Sequence, residues 1–230
     1  MKLTIATVTF FIVSASALRQ FDSSKIDFSN ELSVVNYFKR TIDDLSESIK
    51  EDGWDIFYVE KKVINYTLPV PVIFSTMYLV QDFLSHGLSN IVVNKASYNT
   101  DSSSLSFDIE LPFVAAKLGA GKIETTYFGT TFKMIASGSV AIPHIRFVGQ
   151  FGINVNPPIS IKSSKVNFTM AGIVSDVKFK IQDDDYSDMI NEMLFINLPA
   201  KLKEFSNELN ELFGILSKDY INDYLKAGKN

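Results

Sequence analysis

Along the middle of the chain, residues 102–181, apolar and polar positions alternate. In the series Ile145, Phe147, Gly149, Phe151, Ile153 and Val155 every second residue is apolar or Gly, and mostly polar or small residues lie between. Successive side chains point to opposite faces of a strand, so the spacing predicts a strand with one dry and one wetter face. The same holds for Leu105, Phe107, Ile109 and Leu111, for Phe132, Met134, Ala136, Gly138, Val140 and Ile142, and for Ile173, Val177, Phe179 and Ile181. A β pattern also runs from Ile73 through Ile91 and on to Tyr98. Turns are predicted over residues 99–104 and 117–121, and at Phe128-Gly129, Pro143-His144, Asn156-Pro157-Pro158 and Ala171-Gly172. Short turns between successive strands imply antiparallel meander pairing. Segments of ten residues or more suit a long, curved sheet. Residues 54–72, with Leu68-Pro69-Val70-Pro71, read as an extended connector, since proline has no N–H for a ladder.

A helical pattern flanks this block on each side. Leu32, Val35, Phe38, Ile42, Leu45 and Ile49 fall three or four apart, the spacing of one helix stripe. Asp27 and Ser29 are its candidate caps, and Gly53 is placed to end it. Acids outnumber bases on its polar face, so it reads as a core helix rather than a membrane-lying one. After the acidic turn Gln182-Asp183-Asp184-Asp185, a short helical pattern with Met189, Ile190, Met193 and Leu194 breaks at Pro199. Asn197 is the expected cap of a closing helix over residues 198–225, with Pro199 in its first turn. Its stripe is Leu198, Leu202, Phe205, Leu209, Leu212, Leu216, Tyr220 and Tyr224. The concave dry side of the sheet is the natural place for both stripes. The expected class is therefore α+β: a long curved antiparallel sheet wrapped around a long C-terminal helix, with an N-terminal amphipathic helix.

Composition adjusts this picture in three places. At 46% hydrophobic and 21% charged the chain is an ordinary globular protein, but its 19 Phe supply enough ring area for a large core or a wide apolar pocket. A net charge of -4 argues against nucleic acid as a partner. With no cysteine there is no disulfide, thiol nucleophile or thiolate metal site. At the N-terminus Met1-Lys2, the apolar run to Val13 and Ala15-Ser16-Ala17 form a leader with a cut after Ala17. Residues 1–17 are thus expected to be a signal peptide and residues 18–230 a single secreted domain. No later stretch has the ~20 apolar residues of a membrane span, so no integral membrane insertion is expected. Asn65-Tyr66-Thr67 and Asn167-Phe168-Thr169 are acceptor triplets for glycosylation at Asn65 and Asn167.

Candidate chemistry is sparse. His86 and His144 are the only imidazoles, and neither lies in a catalytic motif; His144 reads as an exposed turn residue. There is no Gly-x-Ser-x-Gly elbow, and Gly119-Ala120-Gly121-Lys122 lacks the spacing and following hydroxyl of a phosphate loop. Asp183, Asp184, Asp185 and Asp188 match no calcium loop, whereas acids before a helix suit its positive end. No catalytic residue, metal or cofactor is assigned. Apolar ligand binding remains. The inward residues mix large rings with Ala136, Gly138 and Gly149, which leaves gaps on the dry face. A chain of about sixteen carbons gains on the order of 10 kcal/mol on burial, before ordering costs.

One stretch carries a resemblance. Residues 77–91, Met-Tyr-Leu-Val-Gln-Asp-Phe-Leu-Ser-His-Gly-Leu-Ser-Asn-Ile, resemble the first-strand signature of the mite group 7 allergen-like proteins of arthropods, with Gly87-Leu88-Ser89-Asn90-Ile91 as its Gly-Leu-Ser-x-Ile. The layout is also similar: leader, helix ending near Glu51-Asp52-Gly53, prolines, antiparallel strands and a long closing helix. The usual Asp-Pro after the first helix is here Asp55-Ile56, and the cysteine pair of takeout-type proteins is missing. The resemblance implies half of a bactericidal/permeability-increasing protein, kin in fold to takeout and juvenile-hormone-binding proteins. It also implies secreted carriage of a lipid, terpenoid hormone or pigment between sheet and helix, and no shared catalytic residues.

The expected pocket lining is Phe107, Ile109, Leu111, Phe132, Met134, Val140, Phe147, Phe151, Ile153, Phe179, Leu202, Phe205 and Leu209. Three functions stay open at this point. They are a carrier of an apolar small molecule or lipid, an immune protein recognising bacterial lipid, and a fully packed structural or partner-binding protein. An interior well below about 300 Å³ would favour the last.

Overall fold

The computed structural model describes residues 26–227; the expected leader lies outside them. Helix α1 (Glu31–Glu51) starts at Asn30, whose side-chain oxygen accepts from the N–H groups of Leu32 and Ser33. Asn30, directly before the first turn, reaches those donors where the expected Asp27 and Ser29 do not. Asp27 instead accepts from the Ser29 N–H and hydroxyl in the preceding turn. Val34, Val35, Leu45 and Ile49 are buried, whereas Leu32, expected in the stripe, is 67% exposed in the first turn.

Eight strands follow: β1 (Phe57–Thr67), β2 (Phe74–His86), β3 (Val92–Asn99), β4 (Ser104–Tyr127), β5 (Thr130–Asn154), β6 (Ser160–Thr169), β7 (Val174–Ile181) and β8 (Asp184–Asp185). They form one antiparallel sheet in the order β1-β2-β4-β5-β7-β8, with β3 also on β4 and β6 also on β5. β4 and β5 are 24 and 25 residues long, so each carries two shorter strands end to end along its outer edge. This corrects the simple meander: β2 pairs with β4, not with β3. It also corrects two turns. Residues 117–121 lie inside β4, at a bulge between Leu118 and Gly121. Gly119 is required there because an added Cβ would stand 2.7 Å from the Asp82 Cβ. Pro143-His144 lies inside β5, where His144 has φ +53°. β1 occupies most of the expected connector; it is exposed on both faces, so no alternation marks it.

The closing helical region is also recast. Helix α2 (Ser187–Glu192) runs through a π turn (Met193–Asn197) into α3 (Leu198–Glu204), so Asn197 lies within helical backbone and its side chain caps nothing. The break comes at Phe205, and α4 (Ser206–Ala227) follows. α4 buries Phe213 and Ser217, while Leu212 and Leu216 of the expected stripe face outward. α1 packs on β3, α4 on β6, and α2 on β7. The main core joins Val34 and Val35 of α1, Tyr98 of β3, Leu105 and Phe107 of β4, Phe151 and Ile153 of β5, Ile161 and Val166 of β6, and Phe213 of α4.

Asparagines on the helices close the strand edges. Asn222 accepts from the Ile161 N–H at 2.7 Å and donates to the Ile161 carbonyl at 3.0 Å. Asn191 does the same for Val177, at 2.9 and 2.8 Å, and Asn210 accepts from the Phe168 N–H. A side-chain amide carries the donor and acceptor of a peptide group, so it substitutes for the missing neighbour strand. Asn222→Ala should cost about 1–3 kcal/mol, because it strips both partners from a buried residue. Hydrogen exchange would check this: the Ile161 amide should lose protection while the Phe168 amide keeps it.

Candidate functional site

A cavity of about 250 Å³ lies between α1, α4 and the adjoining halves of β4, β5 and β6. The strand side is Leu105, Phe107, Ile109, Phe147, Phe151, Ile153, Ile161 and Val166. Alternation and register place these on one face: Leu105 pairs with Phe151, and Ile109 with Phe147. Phe107 and Phe151 stack with centroids 4.7 Å apart across Gly149, whose lack of a Cβ makes the room. α1 contributes Val34, Tyr37, Phe38, Thr41, Ile42 and Leu45, and α4 contributes Phe213, Ser217, Tyr220, Ile221 and Leu225. Ile91 and Ile159 close the loops.

The lining is almost wholly hydrocarbon, and the Thr41 and Ser217 hydroxyls are bonded within the protein. Thr41 donates to the Tyr37 carbonyl at 2.9 Å. Ser217 donates to the Gly214 carbonyl at 3.1 Å and pairs with Ser164 at 2.9 Å. Such a site binds by excluding water and discriminates by shape.

Of the thirteen expected lining residues, Phe107, Ile109, Phe147, Phe151 and Ile153 meet at this cavity. Leu209 packs on the core beside it. Leu111 is buried outside the lining, and Met134, Val140, Phe179 and Leu202 are half-buried elsewhere. Phe132 and Phe205, 50% and 49% exposed, do not line it. Phe132 sits at the far end of β5, beyond reach of α1 and α4, and Phe205 occupies the helix break. Sequence reading missed the α1 side of the cavity although it identified the α1 stripe. It also missed Phe213, which lies one residue from an expected position.

The loop between β2 and β3 closes the α1 end of the site. The Asp55 carboxylate accepts from the Gly87 N–H at 2.6 Å, the Ser89 N–H at 3.2 Å and the Ser89 hydroxyl. Burial pushes this carboxyl up, but the Ser89, Gly87 and Ile56 donors outweigh it and hold it below the ordinary aspartate value. Gly87 has φ +97°, and an added Cβ would stand 2.0 Å from the Phe113 carbonyl oxygen. The loop so fixed sets Leu88 and Ile91 against Leu45 and Ile49 of α1.

The polar groups weighed for chemistry lie apart from the cavity. His144 is exposed, within β5 rather than in a turn, and pairs with Glu110 at 2.6 Å. The neighbouring Arg146 forks onto Asp108 and holds that carboxyl below its ordinary value, with burial opposing. His86 ends β2 against the Phe113 ring. Asp185 accepts from the Ser187 N–H at the start of α2. Among the described residues no three His, Asp or Glu side chains are grouped to hold a metal ion, and no helix is long and apolar enough to cross a membrane.

No protein-family model matches the sequence, and no curated protein matches it. The resemblance to the mite group 7 allergen-like proteins therefore rests on its short motif and layout alone. Solved structures similar to this one include the following two. Takeout 1 of Epiphyas postvittana is 11% identical, with 88% of this chain and 94% of that one covered and a TM-score of 0.43. A lipopolysaccharide-binding protein is 10% identical over 84% of this chain and 39% of that one, with a TM-score of 0.31.

Proposed function

We propose that the chain is a secreted carrier of an apolar small molecule, with the ligand held between the sheet and helices α1 and α4. In this reading it is related to the group 7 proteins and the sheet curves around α4. The observation that supports it is the cavity lining. At about 250 Å³ the volume lies just under the ~300–1,000 Å³ range of small-molecule sites, so volume alone does not separate a carrier from a packed core. A continuous hydrocarbon wall, with the Thr41 and Ser217 hydroxyls turned to partners within the protein, favours the carrier. The ligand class that fits is one hydrocarbon chain or a compact terpenoid, and a two-chain lipid is too large. Ten buried methylenes supply about 8 kcal/mol before ordering costs, which needs no polar anchor. Asn65 and Asn167 are both exposed on strands, as glycosylation in a secretory route requires.

Native mass spectrometry of the secreted protein, followed by organic extraction, tests the reading. One apolar molecule per chain is expected, together with displacement of an apolar fluorescent probe. Ile109→Trp should fill the cavity and weaken probe binding at least tenfold while the fold survives. Absence of both a co-purifying molecule and probe binding would sink the carrier and leave the packed core.

A further inference from the structure

We propose that the end of the sheet remote from the cavity is a docking tip for a neutral, zwitterionic lipid surface. Two hairpin ends meet there: residues 68–73 between β1 and β2, and Phe128-Gly129 between β4 and β5. They are locked together, because the Phe128 N–H donates to the Ile73 carbonyl at 3.1 Å and the Gly129 N–H to the Val72 carbonyl at 2.8 Å. The tip presents Leu68, Val70, Val72, Ile73, Tyr127 and Phe128, all exposed, with Phe128 at 67%. No charged residue occurs over residues 67–75 or 125–132.

The backbone suits an apolar phase as well as the side chains do. The N–H groups of Leu68, Ile73, Phe128 and Gly129 are bonded within the tip, and Pro69 and Pro71 have none. Such a segment enters a lipid interface without stranding those donors. Charge selects the kind of surface. Lys62, Lys122, Lys133 and Lys180 lie behind the tip, and Glu124, Asp183, Asp184 and Asp185 balance them one for one. Glu124 pairs with Lys122, and the Gln182 side chain ties the Asp183 turn to the Thr131 carbonyl. An anionic surface gains nothing from such a collar. A protein partner or a second copy is disfavoured by size, since the six exposed side chains of the tip fall well short of the ~20–30 residues a side of a stable interface.

The tip is continuous with an apolar sheet face. Register places Tyr66, Thr76, Thr125 and Phe132 in one row, and Ile64, Tyr78, Ile123, Met134 and Ile181 in the next. Docking stands independently of whether the cavity holds a ligand.

Flotation of the full secreted chain with phosphatidylcholine vesicles tests the tip. Binding is expected that changes little between low and high salt. The double variant Val70→Asp/Phe128→Asp should lose it at least tenfold, with melting temperature and apolar-probe affinity unchanged; aspartate tolerates the φ of +47° at position 128. Three results would overturn the proposal: failure of the wild-type chain to float with neutral vesicles, flotation with anionic vesicles only, or equal flotation of the variant. The first of these, with a protein bound at the tip instead, would assign the surface to that partner.

Discussion

Asp55→Ala is expected to destabilise the protein by about 2–4 kcal/mol at neutral pH, which lowers the melting temperature by roughly 4–16 °C. The loss comes from what is left behind. The N–H groups of Gly87 and Ser89 and the Ser89 hydroxyl all donate to this one carboxylate, and Ser89 is buried. Hydrogen bonds to a charged acceptor are the stronger kind, and water does not readily replace it at a buried serine. Asp55→Asn keeps one acceptor oxygen and should fall between wild type and Ala. The effect also has a pH signature. The folded carboxyl lies below its ordinary value of 3.8, so its contribution is complete above that value and fades as pH falls through the lower folded one. Urea unfolding at pH 7, 5 and 3 should therefore show a gap between wild type and Asp55→Ala that is constant from 7 to 5 and shrinks at 3. A gap that persists undiminished at acid pH would show that the carboxylate charge is not what holds the loop. Because that loop sets Leu88 and Ile91 against α1, and Ile91 lines the cavity, Asp55→Ala should also weaken apolar-probe binding.

What the sequence disclosed and what it hid share a cause. Alternation reports which residues share a face, so Phe107, Ile109, Phe147, Phe151 and Ile153 were legible as neighbours. It does not report which end of a 25-residue strand a helix will cover, so Phe132, Met134 and Val140 looked equivalent to them. Alternation also carried an unread message. The dry positions are even-numbered from Phe132 to Ile142 and odd-numbered from Ile145 onward, which a turn explains but a single irregular residue explains as well. His144, at positive φ within a continuous strand, is that residue. β1 was invisible for a different reason: with both faces in solvent, Lys61-Lys62 and Val63-Ile64 can sit as doublets at no cost. The Gly87 to Ile91 motif was conspicuous, yet its partner is 32 residues away at Asp55, a pairing that only the folded chain defines.

The helical stripe of α4 gives the second large effect, and a pair of adjacent residues decides it. Phe213→Ala should cost about 3–5 kcal/mol, whereas Leu212→Ala should cost under about 1. Phe213 is 6% exposed and meets the Phe147 and Phe168 rings at centroid distances of 5.5 and 5.2 Å. Leu212, 46% exposed, points away from the sheet. An apolar residue at either position satisfies the sequence periodicity, because 212 stands three and 213 four residues after Leu209, and both spacings fall on its side of the helix. Rotation is set instead by the edge contacts of Asn210 and Asn222 with β6, which leave Phe213 and Ser217 facing inward. Truncating Phe213 also enlarges the cavity wall from the α4 side. An apolar ligand at saturating concentration should then raise the melting temperature of Phe213→Ala by more than it raises that of wild type, since space opened in a dry cavity is filled by whatever binds there. Thermal unfolding of wild type and both variants, with and without a medium-chain hydrocarbon probe, reads all three quantities. Equal destabilisation by the two substitutions would mean that α4 sits on β6 in a different rotation, and the cavity lining assigned to it would have to be redrawn.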